Sequence, residues 1–217
     1  MKHMKTFTIP VTPLEQNCTL LVCESSGAAA VVDPGGDLDR VMAEIDRQQA
    51  RVEQILLTHG HIDHCGGAAE LSRRLGVPIV GPQREDAFWI DNLPQQCTYF
   101  GFPPAETFTP DRWLEHGDRV RIGETELEVR HCPGHTPGHV VFFSPSDRLL
   151  ISGDVLFRGA IGRTDFPRGN LTDLLRAIRE QIFTLDDDVM VLPGHGPPTR
   201  VADERRGNLY MVERRYG

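Results

Sequence analysis

Between Leu57 and Gly67 the chain reads LTHGHIDHCGG, which places three histidines and an aspartate within six consecutive positions. Imidazole and carboxylate groups are the donors that hold Zn2+, and also Fe or Mn. His59 and His61 lie two apart on extended chain, so they point the same way and suit one ion. If the chain turns into a helix near Asp63, then Asp63 and His64 aim at a neighbouring position and suit a second. Gly66 and Gly67 would let that turn pack closely, and the field of the new helix N-terminus would favour anionic groups. A purely structural role asks more of the chain. Each of the four side chains would need its own hydrogen-bond partner.

Three further ligand-capable residues recur at matching places. His135 follows the strand-like ELEVRHC, Asp154 closes RLLISGD, and His195 closes DVMVLPGH. The histidine cluster itself follows VEQILLT. Four predicted strands thus end in potential ligands, and binding sites on open α/β sheets lie at such ends. A distal histidine completing each ion, with one bridging carboxylate, makes a two-metal site. In hydrolases such ions lie about 3.5–4 Å apart. The remaining histidines read otherwise. His3 and His116 sit in polar, exposed surroundings, and His131 alternates along a strand. His139 begins a strand and reads as structural or as a partner to a ligand. Cys65 and Cys132 border ligands and read as packing residues.

The elements that must position these residues follow from periodicity and turn signals. TFTIPV and CTLLVCE are β-rich, and AAAVVDPGG runs from strand into turn. Asp37 is placed to cap a helix whose Leu38, Val41, Met42 and Ile45 share one face. A helix through Ala68, Leu71 and Leu75 precedes the short strand VPIVG. Residues 82–113, rich in proline and aromatics, read as a helix plus a long surface loop. The second half repeats the scheme with HVVFFS, a helix from Leu171 to Phe183, and a final helix from Asp203 to Glu213. This alternation predicts layered α/β architecture, taken as one domain over residues 1–217.

Composition narrows the partners. The 217 residues are 39% hydrophobic and 25% charged, with a formal net charge of −8. That acidity argues against a nucleic-acid or anionic-membrane partner. No apolar run approaches the ~20 residues of a membrane span. The start lacks the apolar stretch of a secretory signal, and five scattered cysteines without close pairing suit reduced thiols in a cytoplasmic protein.

With these residues assembled, the sequence resembles the metallo-β-lactamase superfamily, whose THxHxDH signature matches Thr58, His59, His61, Asp63 and His64. The resemblance extends from EQNCTLLV and VDPGGD to LPGHGPPT. It implies a four-layer αβ/βα sandwich with a dinuclear site at one edge. In that reading His59, His61 and His135 hold one metal, Asp63, His64 and His195 hold the other, and Asp154 bridges. Within the superfamily, HCPGHTPGHVVFF, LLISGDVLF, IGRTDFPRGN and PGHGP are similar to short glyoxalase II-type hydrolases that lack a C-terminal helical domain.

The implied activity is hydrolysis of thioesters such as S-D-lactoylglutathione by a hydroxide shared between two divalent ions, Zn in the first instance. The substrate is then a small acyl-glutathione-like molecule. Asp63 would also orient the nucleophile, and Arg163 and Phe166 fall near the family's substrate contacts. The alternatives are an Fe-dependent persulfide dioxygenase, which shares a GRTDF phrase but uses one metal held by two histidines and an aspartate, and a lactonase. A non-catalytic metal-binding module would predict a missing ligand, yet all seven ligand types are present. RNA-processing relatives fit poorly with the acidity, and the flavodiiron branch carries a glutamate where this loop has histidine.

Overall fold

A computed structural model describes residues 3–211. Strands β1 (Met4–Val11) and β2 (Gln16–Cys23) form an antiparallel hairpin, and β3 (Ala28–Val32) pairs antiparallel with β2. Helix α1 (Leu38–Gln48) then crosses over to β4 (Arg51–Leu56), which runs parallel to β3. Helices α2 (Ile62–Cys65) and α3 (Ala68–Leu75) lead to β5 (Ile79–Val80), parallel to β4. The first sheet therefore has the order β1-β2-β3-β4-β5.

A single 3-10 turn at Arg84–Asp86 and helices α4 (Ala87–Asp91) and α5 (Leu93–Phe100) separate the two sheets in sequence. The second half continues with β6 (Arg119–Ile122), β7 (Thr125–His131), β8 (Val140–Ser144) and β9 (Leu149–Gly153). A two-strand hairpin follows, β10 (Leu156–Phe157) with β11 (Ala160–Ile161). Helix α6 (Leu171–Ala177) runs into a π turn at Ile178–Ile182, and β12 (Met190–Pro193), β13 (Thr199–Arg200) and α7 (Val201–Gly207) complete the described chain. The second sheet has the order β13-β12-β9-β8-β7-β6.

Three apolar layers hold these elements together. Leu20, Val31 and Ile55 on one face of the first sheet pack against Val41 and Ile45 of α1 and Leu71 of α3. The other face of that sheet, through Leu21, Val32 and Leu56, meets Val129, Phe142 and Ile151 of the second sheet. Val141, Leu150 and Val191 on the far face pack against Leu174, Ile178 and Val201. Because both faces of each sheet are covered, β3, β8 and β9 are buried throughout instead of alternating. This is the four-layer αβ/βα sandwich expected from the sequence.

Strand direction sets where the site lies. β7 and β9 are both antiparallel to β8, and β12 is parallel to β9, so these three strands end at one edge. The four segments with the candidate ligands follow β4, β7, β9 and β12.

Several local expectations needed correction. Asp37 occupies the N-cap position of α1 but makes no side-chain cap; its carboxylate accepts from the Thr12 backbone N–H at 2.7 Å. Residues 82–113 form the 3-10 turn and two short helices before an irregular stretch, because Pro94 opens α5 and Gly101 closes it. Strand β6 was not anticipated: its four residues RVRI carry only two inward apolar side chains, with Arg119 and Arg121 exposed at the sheet edge. The final helix stops at Gly207, and Val212 and Glu213 of the expected span lie outside the described residues. All five cysteines are free and buried. No helix among the described residues is long and apolar enough to cross a membrane.

Candidate metal centre

The seven residues picked out by spacing converge at this edge. His59 Nε2 and His135 Nε2 lie 3.1 and 3.0 Å from the same atom, Nδ1 of His61. Nearby, His195 Nε2 stands 3.1 Å from Asp63 Oδ2, and His64 Nε2 stands 3.7 Å from it. Asp154 lies between the two groups, with Oδ1 3.3 Å from His64 Nε2 and Oδ2 3.6 Å from His135 Nε2 and 3.7 Å from His195 Nε2. The result is a His-rich candidate dimetal site.

For four of the imidazoles the other nitrogen shows which atom is free for a cation. His64 Nδ1 donates to Asp33 Oδ2 at 2.9 Å. The Thr58 hydroxyl donates to the same oxygen at 2.6 Å, so its own oxygen accepts from His59 Nδ1 at 3.0 Å. His135 Nδ1 donates to the Arg163 carbonyl at 2.7 Å, and His195 Nδ1 to the Leu14 carbonyl at 3.2 Å. Four imidazoles are thereby held with Nε2 as the lone-pair nitrogen, the arrangement that orients histidine toward a metal. His61 alone presents Nδ1, and its ring edge packs on Trp89.

Burial makes this arrangement costly without a cation. Within the cluster His61 Nε2, His64 Nε2 and Asp154 Oδ1 are buried and lack a hydrogen-bond partner. Lone-pair nitrogens about 3 Å apart repel unless a positive charge sits between them, and buried polar atoms normally find partners. The donor set therefore fits two divalent ions, three imidazoles for one and two imidazoles with a carboxylate for the other. Asp33 also comes close to His59 and His64. Its oxygens are already engaged by Thr58 and by Nδ1 of His64, so it supports ligands and does not define a third position.

The same crowding shapes the protonation equilibria. Burial depresses the pKa values of His59 and His61 well below the usual histidine range, and neighbouring imidazoles add to the effect. Burial would also lower that of His64, but Asp154 and Asp63 raise it well above. For Asp154, burial pushes the carboxyl up, yet His64 and the other imidazoles hold it ionised, far below the ordinary carboxylate range.

Local sequence explains the geometry. The chain leaves β4 extended through His61 and turns into α2 at Ile62, so the two pairs of candidate ligands face different neighbours, His59 and His61 beside His135, Asp63 and His64 beside Asp154 and His195. Gly66 and Gly67 do pack closely: a Cβ on them would come within 2.5 Å of Ile62 O and 2.6 Å of Pro34 O. Gly194 is equally constrained, since its Cβ would lie 2.3 Å from Asp154 Oδ1.

The other singled-out residues divide. His139 is buried, stacks on His59 at 4.6 Å, and accepts from the Asp154 backbone N–H at 3.0 Å. His131 donates to the Pro137 carbonyl at 2.7 Å. Phe166 packs edge-on against His61 at 4.9 Å. Arg163 lines the cleft, but its guanidinium pairs with Asp165 at 2.6–2.7 Å and lies over the Phe166 ring at 4.3 Å. Spacing did not reveal Asp33 as the partner of Thr58 and His64; its position after the buried strand VV was the available signal. Asp86 and Gln96 gave no such signal.

A cleft of about 580 Å³ opens over these residues. Its walls include Leu14, Phe100, Phe157 and Phe166. A second groove of about 630 Å³ lies beside it, lined by Phe88, Trp89 and Tyr99, and shares Phe100, Arg163 and Phe166 with the first.

Residues 11–195 match the profile of the metallo-β-lactamase superfamily, a stretch that contains every candidate ligand. The chain belongs to that superfamily. Among superfamily relatives, the hydroxyacylglutathione hydrolase GloC of Haemophilus influenzae is 41% identical over 204 residues, covering 94% of this chain and 96% of that protein. In three dimensions the crystal structure of the BLEG-1 B3 metallo-β-lactamase is similar with a TM-score of 0.89 and 32% identity, over 96% of this chain and all of that one. The superfamily fold is shared equally by TTHA1623, solved in a di-iron-bound form, at a TM-score of 0.86 and 32% identity over 94% and 99% of the two chains.

Proposed function

We propose that this metallo-hydrolase cleaves small thioesters, with S-D-lactoylglutathione as the reference substrate. His59, His61 and His135 would hold one divalent ion, Asp63, His64 and His195 the other, and Asp154 would bridge. Bound there, the ions would lower the pKa of a water toward about 7 and polarise the scissile carbonyl.

The observation that carries the thioester reading is what the cleft lacks. Apart from the candidate ligands, its lining among the described residues is apolar or glycine except for Arg163, and Arg163 is already paired with Asp165. No spare side chain stands ready to protonate a leaving group. A thiol has a pKa of about 8.5 and departs as thiolate unaided, whereas an amine or alkoxide leaving group asks for a proton. The likeness to GloC supports the same choice. The complete second donor set supports a two-metal hydrolase over a one-iron persulfide dioxygenase, and the proton argument disfavours a lactonase.

Within this reading the chain's residues bind and orient. Asp63, already 3.1 Å from His195, is placed to ligate and to accept a hydrogen bond from the attacking water. Phe166, Phe100 and Phe157 exclude water from the acyl group, and Arg163 offers the cleft its one non-ligand charge. Zn fits the donor chemistry, as do Fe and Mn.

The test is loss of thioester absorbance from S-D-lactoylglutathione, using Zn-loaded protein and a His59→Ala variant. Turnover by the first and none by the second is the expected result. No turnover with both ions bound would refute the thioester reading, and oxygen uptake with a persulfide would replace it.

A further inference from the structure

The segment from Gln83 to Gln96 supplies no candidate ligand, yet it grips both loops that carry the three-histidine set. Asp86 is fully buried and receives three hydrogen bonds. The Gly60 backbone N–H and the Thr136 hydroxyl donate to Oδ2, each at 2.8 Å, and the Gly138 backbone N–H donates to Oδ1 at 2.6 Å. Gly60 separates His59 from His61, while Thr136 directly follows His135.

Neighbouring contacts extend the same grip. Gln96 Oε1 accepts from the Ile62 N–H at 3.0 Å, and its Nε2 donates to the Gly60 carbonyl at 3.2 Å. The Gln83 N–H donates to the Gly138 carbonyl at 3.0 Å. The approach is too close for a side chain, since a Cβ at Gly138 would sit 2.5 Å from Asp86 N. The two loops come from different sheets, and the Val140 N–H also joins them by donating to the Thr58 carbonyl at 2.8 Å. Their relative position within a few tenths of an ångström decides whether three imidazole nitrogens can share one ion.

We propose that Asp86 is a positioning residue for the three-histidine site, clamping the His59–His61 loop to the His135 loop through one carboxylate. It touches neither ion nor substrate. Its action should fall mainly on that site, because Gly60 sits between His59 and His61 and Thr136 directly follows His135, whereas Asp63 and His64 lie beyond the turn into α2 and His195 lies on another loop. The inference rests on the ligand assignment above and not on the thioester substrate.

Asp86→Asn keeps the shape but turns one oxygen into a donor, which then faces either the Gly60 or the Gly138 N–H. The experiment titrates metal-free protein with Co2+ against a competing chelator, following the visible ligand-field bands of each site. The wild type should fill two sites. In Asp86→Asn the three-histidine site should weaken at least tenfold, within the range of about 10–100-fold typical of lost ligand support, with the second site within about twofold of wild type. Thr136→Val, which removes only one donor, should shift the same site in the same direction, and Thr136→Ser should restore it; this pair carries the test if Asp86→Asn does not fold. A merely structural residue would leave the ratio of the two affinities unchanged, and that result would overturn the proposal. Wild-type protein that takes up no Co2+ would instead overturn the ligand assignment, a distinct failure.

Discussion

Replacing Asp33 by asparagine should weaken metal binding at one site and destabilise the metal-free protein modestly. Asp33 accepts three hydrogen bonds: the Thr58 N–H at 2.8 Å on Oδ1, and the Thr58 hydroxyl at 2.6 Å and His64 Nδ1 at 2.9 Å on Oδ2. Asparagine offers one oxygen and one NH2 group to the same three donors, so whichever way the amide turns, at least one of them loses its acceptor. The metal-free protein should therefore lose about 1–3 kcal/mol of stability. Metal binding adds a further demand. His64 must keep its proton on Nδ1 to offer Nε2, and a neutral amide holds that proton less firmly than the carboxylate does. Lost ligand support of this kind costs about 10–100-fold in affinity, at about 1.4 kcal/mol per tenfold, so the site formed with Asp63 and His195 should weaken by that factor. Titration of the metal-free protein with Zn2+ against a chromophoric chelator measures this, with urea unfolding as the control. Unchanged affinities at both sites, or a loss of several kcal/mol in the metal-free protein with affinities intact, would refute the reasoning.

Other consequences are open to simple tests. Phe166 forms part of the wall between the cleft and the neighbouring groove, so Phe166→Ala should join the two spaces; KM for a small acyl thioester should rise severalfold while bulkier acyl groups gain relative to it, as a substrate series would show. Gly194→Ala would place a methyl group 2.3 Å from Asp154 Oδ1 and 2.6 Å from His64 Cε1. Bound metal, read by elemental analysis, should fall below two ions per chain while circular dichroism stays native. Burial raises the Asp86 carboxyl to about 6, against the hydrogen bonds from Thr136, Gly60 and Gly138 that lower it. Its folded pKa thus exceeds the unfolded value of about 3.9, so the folded state binds the extra proton and this group favours folding more as pH falls through 6. Metal-free wild type should gain about 1 kcal/mol on Asp86→Asn between pH 7.5 and pH 5 in urea unfolding, and a pH-independent difference would count against it.

What the sequence by itself determined was which residues could act as ligands and that the architecture is layered α/β. His59, His61, Asp63 and His64 could be read because their spacing is local: the switch from strand to helix at Ile62 divides them into two pairs wherever the chain lies. Asp154 and His195 were legible because each closes a largely apolar run, which covered sheet faces make conspicuous, and His135 because it follows the alternating strand β7. The roles of Asp33 and Asp86 depended on the fold. Asp33 reads as a turn residue, and only the pairing of β3 with β4 brings it beside Thr58 and His64. Asp86 reads as one more acid in a polar stretch; its burial and its three donors exist because two sheets, separated by about eighty residues of chain between Gly60 and Gly138, meet over it. Hydrogen-bond partners distant in sequence leave no periodic trace. Those contacts, and with them the precision of the site, were decided by tertiary structure alone.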